Sequence, residues 1–285
     1  MRPAVAAAKW LARTLAIVLL VIAGSTFLVR FAPGYLSDAR EMDSRYADAA
    51  RAEISAEAAR SHSLLQMLSS EIGGWARGNA GLSRQYGVPV FELIQPRLAV
   101  SGGLMVRSLV LAWMLALCAA LITSAGRHTF ALWQTPATLL LAVPTAAMAT
   151  LCLLANSGGP VLVMALLLAA RDFKFLHRTL RKAWLDPHVL QARAQGIGTP
   201  RILAAHLLPT LKSQLFALAS LSIVTALSAL VPIEVIFNVP GLGQLAWNAA
   251  MNRDLPVLLA ITVIMALGVT CAGMAPDRPA EWESA

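Results

Sequence analysis

The chain reads as an all-α polytopic membrane protein with about six transmembrane helices. Hydrophobic residues make up 58% of it and charged residues only 13%, with a mean hydropathy of +0.66, well outside the composition of a soluble domain. Its uncharged runs are long enough to cross a bilayer, and 285 residues accommodate five to seven spans of ~20 residues plus loops. Its cations are bunched beside those runs, as topology requires of a membrane protein. The net charge of +8 therefore reports orientation and excludes nucleic-acid binding, since no aromatic reading surface accompanies it. Cys118, Cys152 and Cys271 each fall inside an apolar run, so they read as packing residues without a disulfide framework or metal spacing.

The elements follow in order. Residues 1–30 form an anchor: Lys9 and Arg13 precede an uncharged run over 14–29, and Arg30 closes it. A signal peptide is the rival, but no convincing small-x-small cleavage site precedes the charged stretch that follows, which favours an uncleaved anchor. Residues 31–102 are a polar insert with seven basic and eight acidic side chains, the near-neutral balance of a long extracytoplasmic loop. Within it, residues 38–71 predict a surface helix, with Met42, Tyr46, Ala50 and Ile54 at four-residue spacing. The membrane core covers 103–276 and begins with a second span over about 104–121. A turn over 123–129 leads into residues 129–170, which carry no charge and suffice for two spans separated by a tight turn at 156–160. The fourth span is short before Arg171, so it must continue past Arg171 and Lys174 or begin inside the turn. The fifth is placed at 213–233, the sixth at 255 to about 274, and residues 277–285 are a tail.

Residues 171–209 stand out between the apolar regions. With Lys212 they hold eight of the 23 basic residues, against two acids, Asp172 and Asp186, which marks a cytoplasmic segment. Residues 189–195 are helix-forming, and Gly196 and Gly198 interrupt them. Thr199 or Pro200 starts a second helix, which Pro209 ends or bends.

This segment resembles the cytoplasmic EAA loop of ABC importer permeases, E-A-A-x3-G-x9-I-x-L-P. Ala192, Gly196, His206, Leu208 and Pro209 occupy its frame, and the run Ala192, Arg193, Ala194, Gln195, Gly196 with His206 is similar to the dipeptide, oligopeptide and nickel permease branch. Leu190 and Gln191 replace the leading Glu-Ala. Two further stretches are similar to that branch. In the first, Gly78, Gly81, Ser83, Gly87, Pro89, Val90, Glu92, Leu93, Ile94 and Arg97 keep the order of the element before the second span. In the second, Glu234, Ile236, Phe237, Pro240, Gly241, Leu242, Gly243, Arg253, Asp254 and Pro256 follow E-x-V-F-x-x-P-G-L-G…R-D-Y-P, with Leu255 in place of the tyrosine.

The resemblance implies a type I (MetI-like) permease fold and a subunit of an ATP-driven importer of dipeptides, oligopeptides or a related small solute. It implies ATPase coupling through residues 186–209, with Ala192, Arg193, Ala194, Gly196, His206, Leu208 and Pro209 at the docking surface. It implies an outer gate or binding-protein contact at Glu234, Phe237, Pro240, Gly241, Leu242, Gly243, Arg253 and Asp254, with Leu242 projecting an apolar tip. The partners implied are a second permease, two ATPase subunits, which bind the ATP, and an extracytoplasmic solute-binding protein. The location implied is the inner membrane, and the charge pattern puts both termini in the cytoplasm.

No catalytic constellation or resident cofactor is expected. The chain lacks G-x4-G-K-[ST], and His62, His128, His177, His188 and His206 are scattered without a ligand pair. For Glu234 the simplest role is to accept hydrogen bonds from the backbone of the following Pro-Gly turn. A basic loop that only anchors to anionic headgroups is the plain rival to the coupling loop, and the matched spacing outweighs it. An ion-driven secondary transporter would show repeats and charged span centres. A non-transporting scaffold is the remaining alternative.

Overall fold

A computed structural model describes residues 2–31, 73–74, 77, 80–83, 85–124, 129–252 and 254–273. The surface helix expected over 38–71 lies outside them. The chain forms two compact units, Met1–Pro96 with Asn248–Leu267 and Arg97–Trp247 with Gly268–Ala285.

Among the described residues the elements are helical: α1 (Arg2–Phe31), α2 (Val90–Ser124), α3 (Thr129–Ala142), α4 (Thr145–Leu154), α5 (Pro160–Ala183), α6 (Pro187–Ala194), α7 (Thr199–Ile202), a π turn (Leu203–Leu207), α8 (Leu208–Ile236), α9 (Leu242–Met251) and α10 (Leu255–Ala272). Helices α2, α8 and α10 are long and apolar enough to cross a membrane, and the bent pair α3–α4 makes a fourth span if counted as one. With α1, whose apolar part is Trp10–Gly24, and α5, helices stand at all six places the sequence marks.

Three of those places differ from expectation. The second span starts earlier, because α2 begins at Val90 and carries Pro96 inside it, so the end of the polar insert is already helix. The third is broken: α3 and α4 meet at 102° across residues 143–144. Pro144 supplies no N–H and sits as the extended N-cap of α4, with φ −57° and ψ 142°. The fourth takes both options open to it. Pro160 is the first residue of α5 beside its N-cap Gly159, and the helix runs through Arg171 and Lys174 to Ala183. Residues 171–183 are therefore the second half of a packed helix rather than loop.

In the larger unit α5 packs against α3, α4 and α8, and α4 also packs on α8. The shared interior is apolar and tight, with Met164, Leu168 and Leu176 of α5 and Leu218, Leu230 and Ile233 of α8 fully buried. One side of α2 is a narrow stripe, Ser101, Leu104, Ser108, Ala112, Ala116, Ala120 and Thr123, all buried. Its spacing of three and four keeps it on one helix face, and its small side chains let neighbours approach closely. In the smaller unit residues 80–89 close on themselves. Leu82 and Pro89 form an antiparallel bridge, and the Val90 amide donates to the Gly81 carbonyl at 3.1 Å.

Candidate functional site

The segment expected to couple to a partner folds as helix, break, helix. Pro187 opens α6, and Asp186 precedes it with an extended backbone, as a proline at the first helical position favours. After Ala194 the chain reverses at Gly196, whose φ of +76° is open to glycine at little cost. A side chain there would meet nothing within 4 Å, so the break faces open space.

The return helix α7 does not stop at Pro209. It passes through the π turn, and Leu208 donates its amide back to Leu203. The wider turn absorbs the proline: Pro209, near the start of α8, lacks the N–H that a continuing α ladder would need. The path from Thr199 to Ile236 is thus helical throughout, so of the two outcomes the sequence allows at the proline, an end or a bend, the helix does not end there.

The expected coupling residues divide into two groups. Ala192 is buried beside Val189, Ile202 and Leu207, and α6 rests on α7 and the π turn. Arg193, Ala194, Gly196, Leu208 and Pro209 are exposed, as is Leu190. Arg193 stacks its guanidinium 5.6 Å from the centre of the Trp184 ring. His206 belongs to the π turn, and its side chain lies outside the described ones.

At the other end of α8, the expected gate residues are built around a buried carboxylate. Glu234 is fully buried. One of its oxygens accepts from the Gly243 amide at 2.7 Å and the Gln244 amide at 3.2 Å. The other accepts from the Ser101 hydroxyl at 2.6 Å, whose oxygen in turn accepts from the Leu242 amide at 2.7 Å. The first three N–H groups of α9 are therefore satisfied by one carboxylate and one hydroxyl, which a helix start requires and its dipole favours.

Packing here is close. A Cβ on Gly241 would overlap the Glu234 carboxylate, and one on Gly243 would lie 2.7 Å from the Val231 Cα. Leu242 departs from expectation: it is 2% exposed and starts α9, so it is an anchor rather than a projecting tip. Pro240 is exposed and Phe237 half-buried. Arg253 lies outside the described residues.

Asp254 belongs to the smaller unit and is also buried. Its carboxylate accepts from the Ser83 hydroxyl and from the Gln85 amide, the latter at 3.2 Å. Ser83 also accepts from the Tyr86 amide at 3.0 Å. Two stretches that the sequence analysis left unconnected, 80–89 and the residues before α10, are thus joined by one acid and one hydroxyl.

Sequence reasoning passed over a third polar cluster. Asp172 is fully buried in mid-helix on α5 and accepts from Ser222 of α8 at 2.8 Å. The Arg171 guanidinium pairs with it at 3.1 Å and donates to Thr225 and, at 3.4 Å, to Ser222. The cytoplasmic segment expected from 171 onward thus begins with a buried acid, Asp172, and a half-buried base, Arg171, inside the helix. The only sequence signal is weak: Ser222 and Thr225 stand three apart on one face of α8, among several other hydroxyl residues of that helix. Among the described residues no group of three His, Cys, Asp or Glu could hold a metal ion.

Residues 108–276, more than half of the chain, match the binding-protein-dependent transport system inner membrane component family. The chain belongs to that family. This is the inner-membrane permease family of ABC importers, with the type I permease fold. Among its members, the chain is similar to the oligopeptide transport system permease protein AppB of Bacillus subtilis, 33% identical over 41% of this chain and 38% of that one. It is similar to a putative peptide permease of Brucella ovis, 25% identical over 72% of this chain and 74% of that one. The metal-staphylopine import system permease protein CntB of Staphylococcus aureus is 32% identical over 38% of this chain and 34% of its own length. The match thus spans well under half of AppB and CntB, and about three quarters of the Brucella permease.

Proposed function

We propose that this chain is the permease subunit of an ATP-driven importer, working with a second permease, two ATPase subunits that bind the nucleotide, and an extracytoplasmic solute-binding protein. The observation that carries the reading is the unbroken helical path from Thr199 to Ile236, preceded by a helix whose Leu190, Arg193 and Ala194 are uncovered. An ATPase that grips α6 and the Gly196 break would push on a rod about 55 Å long at 1.5 Å per residue. Its far end carries Glu234 and the start of α9, so a push at 186–209 has a continuous helix leading to the outer gate. The substrate class is peptides or related small solutes, supported by the names of the relatives. The orientation that fits has both termini and residues 186–209 in the cytoplasm.

The test is co-expression with candidate ATPase and permease partners, reading ATPase co-purification and peptide uptake for Gly196→Trp. Insertion should be normal, with co-purification and uptake lost together. Wild-type capture of the ATPase and normal uptake by this variant would sink the proposal.

A further inference from the structure

Between α3 and α5 lies an open pocket of about 440 Å³ lined by Gln134, His177, Arg178, Arg181, Lys182 and Leu185. Three of these six are fixed cations, spaced three and one apart, so they share one face of α5. Among the described residues, no acid pairs with Arg178, Arg181 or Lys182 at salt-bridge distance. All three are exposed, as is Gln134. The pocket wall is held firmly: the Thr123 hydroxyl and His177 Nδ1 lie 2.9 Å apart, and Lys174 donates to Thr138 of α3 at 2.7 Å.

Depth identifies the kind of anion. Arg178 lies roughly 27 Å along the helix axis from Pro160, close to the ~30 Å thickness of a hydrocarbon core. Trp133, 48% exposed on α3 one residue from Gln134, has the amphipathic ring typical of the headgroup level. Farther along, toward the apolar half of α5, Leu139 of α3 and Phe175 of α5 are exposed, which offers a seat for acyl chains. A free phosphate has no use for that seat.

We propose that this pocket binds the phosphate of an anionic phospholipid headgroup, with Arg178, Arg181 and Lys182 as its donors. The guanidinium fork suits a phosphodiester, and basic pockets between membrane helices commonly hold such headgroups. The proposal does not depend on the coupling role.

The experiment is native mass spectrometry of the purified full chain, titrated with phosphatidylglycerol or with phosphatidylcholine of the same acyl chains. Wild-type protein should retain phosphatidylglycerol preferentially. The Arg178→Gln, Arg181→Gln, Lys182→Gln triple variant should lose on the order of a hundredfold in that affinity, from three surface cations. Arg201→Gln with Lys212→Gln, two cations outside the pocket, should retain it. Equal retention of both lipids, or undiminished retention by the triple variant, would overturn the proposal. So would thermal stabilisation of lipid-stripped protein by inorganic phosphate alone to the level phosphatidylglycerol gives, since a soluble anion would then suffice. Loss of ATPase capture by the triple variant with lipid retention unchanged would assign the cations to a protein partner, which also overturns it.

Discussion

Asp172 pins α5 to α8 through hydrogen bonds rather than apolar fit. Its carboxylate holds Ser222 and Arg171, and Arg171 in turn holds Thr225, so removing one member leaves the others buried without a counterpart. Ser222→Ala should cost about 1.5–3 kcal/mol, the range for a hydrogen bond to a charged group. Asp172→Ala should cost more, because it strands a partly buried guanidinium. Thermal unfolding in detergent would check both; wild-type melting of Asp172→Ala would mean that the pair is a solvated bystander. Gly243 gives a second case. Its neighbours on α8 are backbone atoms 2.7–2.9 Å from any added Cβ, and backbone cannot swing aside as a side chain can. Gly243→Ala should therefore destabilise by about 1–3 kcal/mol, read in the same melt. A Gly243→Ala protein as stable as wild type would show that α9 seats more loosely than described.

Elements differ in how plainly the sequence announces them. Helix α6 and its break are legible because Pro187, Gly196 and Gly198 are backbone signals, each acting on its own residue. Gly196→Ala at φ +76° should cost about 1 kcal/mol and lower ATPase capture less than Gly196→Trp does. Equal capture by both variants would point to strain rather than bulk as the important quantity. The bend between α3 and α4 was legible only in part: Pro144 is a visible break signal, but an uncharged run measures length and says nothing of direction. The buried start of α9 was half legible. The acid and the Pro-Gly turn are visible in sequence, but Ser101 is 133 residues away from Glu234 and no local pattern links them. Glu234→Ala should speed hydrogen exchange at residues 242–245 while leaving α8 protected, and unchanged exchange would remove the carboxylate from its capping role.

At the scale of the molecule, six helix positions and the family could be read from hydropathy and from motifs at fixed spacing. The polar clusters inside the core could not, because composition averages a few buried hydroxyls into a run of leucines. Orientation is argued from charge alone and is open to a direct test. Asn238, just past the end of α8, and Ala194, at the end of α6, are exposed; between them in the chain lies α8, roughly 43 Å long at 1.5 Å per residue and apolar enough to span. Asn238→Cys should label from the extracytoplasmic side in intact cells, and Ala194→Cys only after permeabilisation. The reverse pattern would invert the topology and place the basic segment outside.

The Ser101–Glu234 bond also orders events during synthesis. Ser101 leaves the ribosome 133 residues ahead of its acceptor, a lag on the order of ten seconds at bacterial elongation rates. During that interval α3, α4 and α5 emerge while the serine hydroxyl on α2 still awaits its carboxylate. The end of the permease where α9 meets α8 therefore closes late in biogenesis, after the chain that forms the basic segment is already complete.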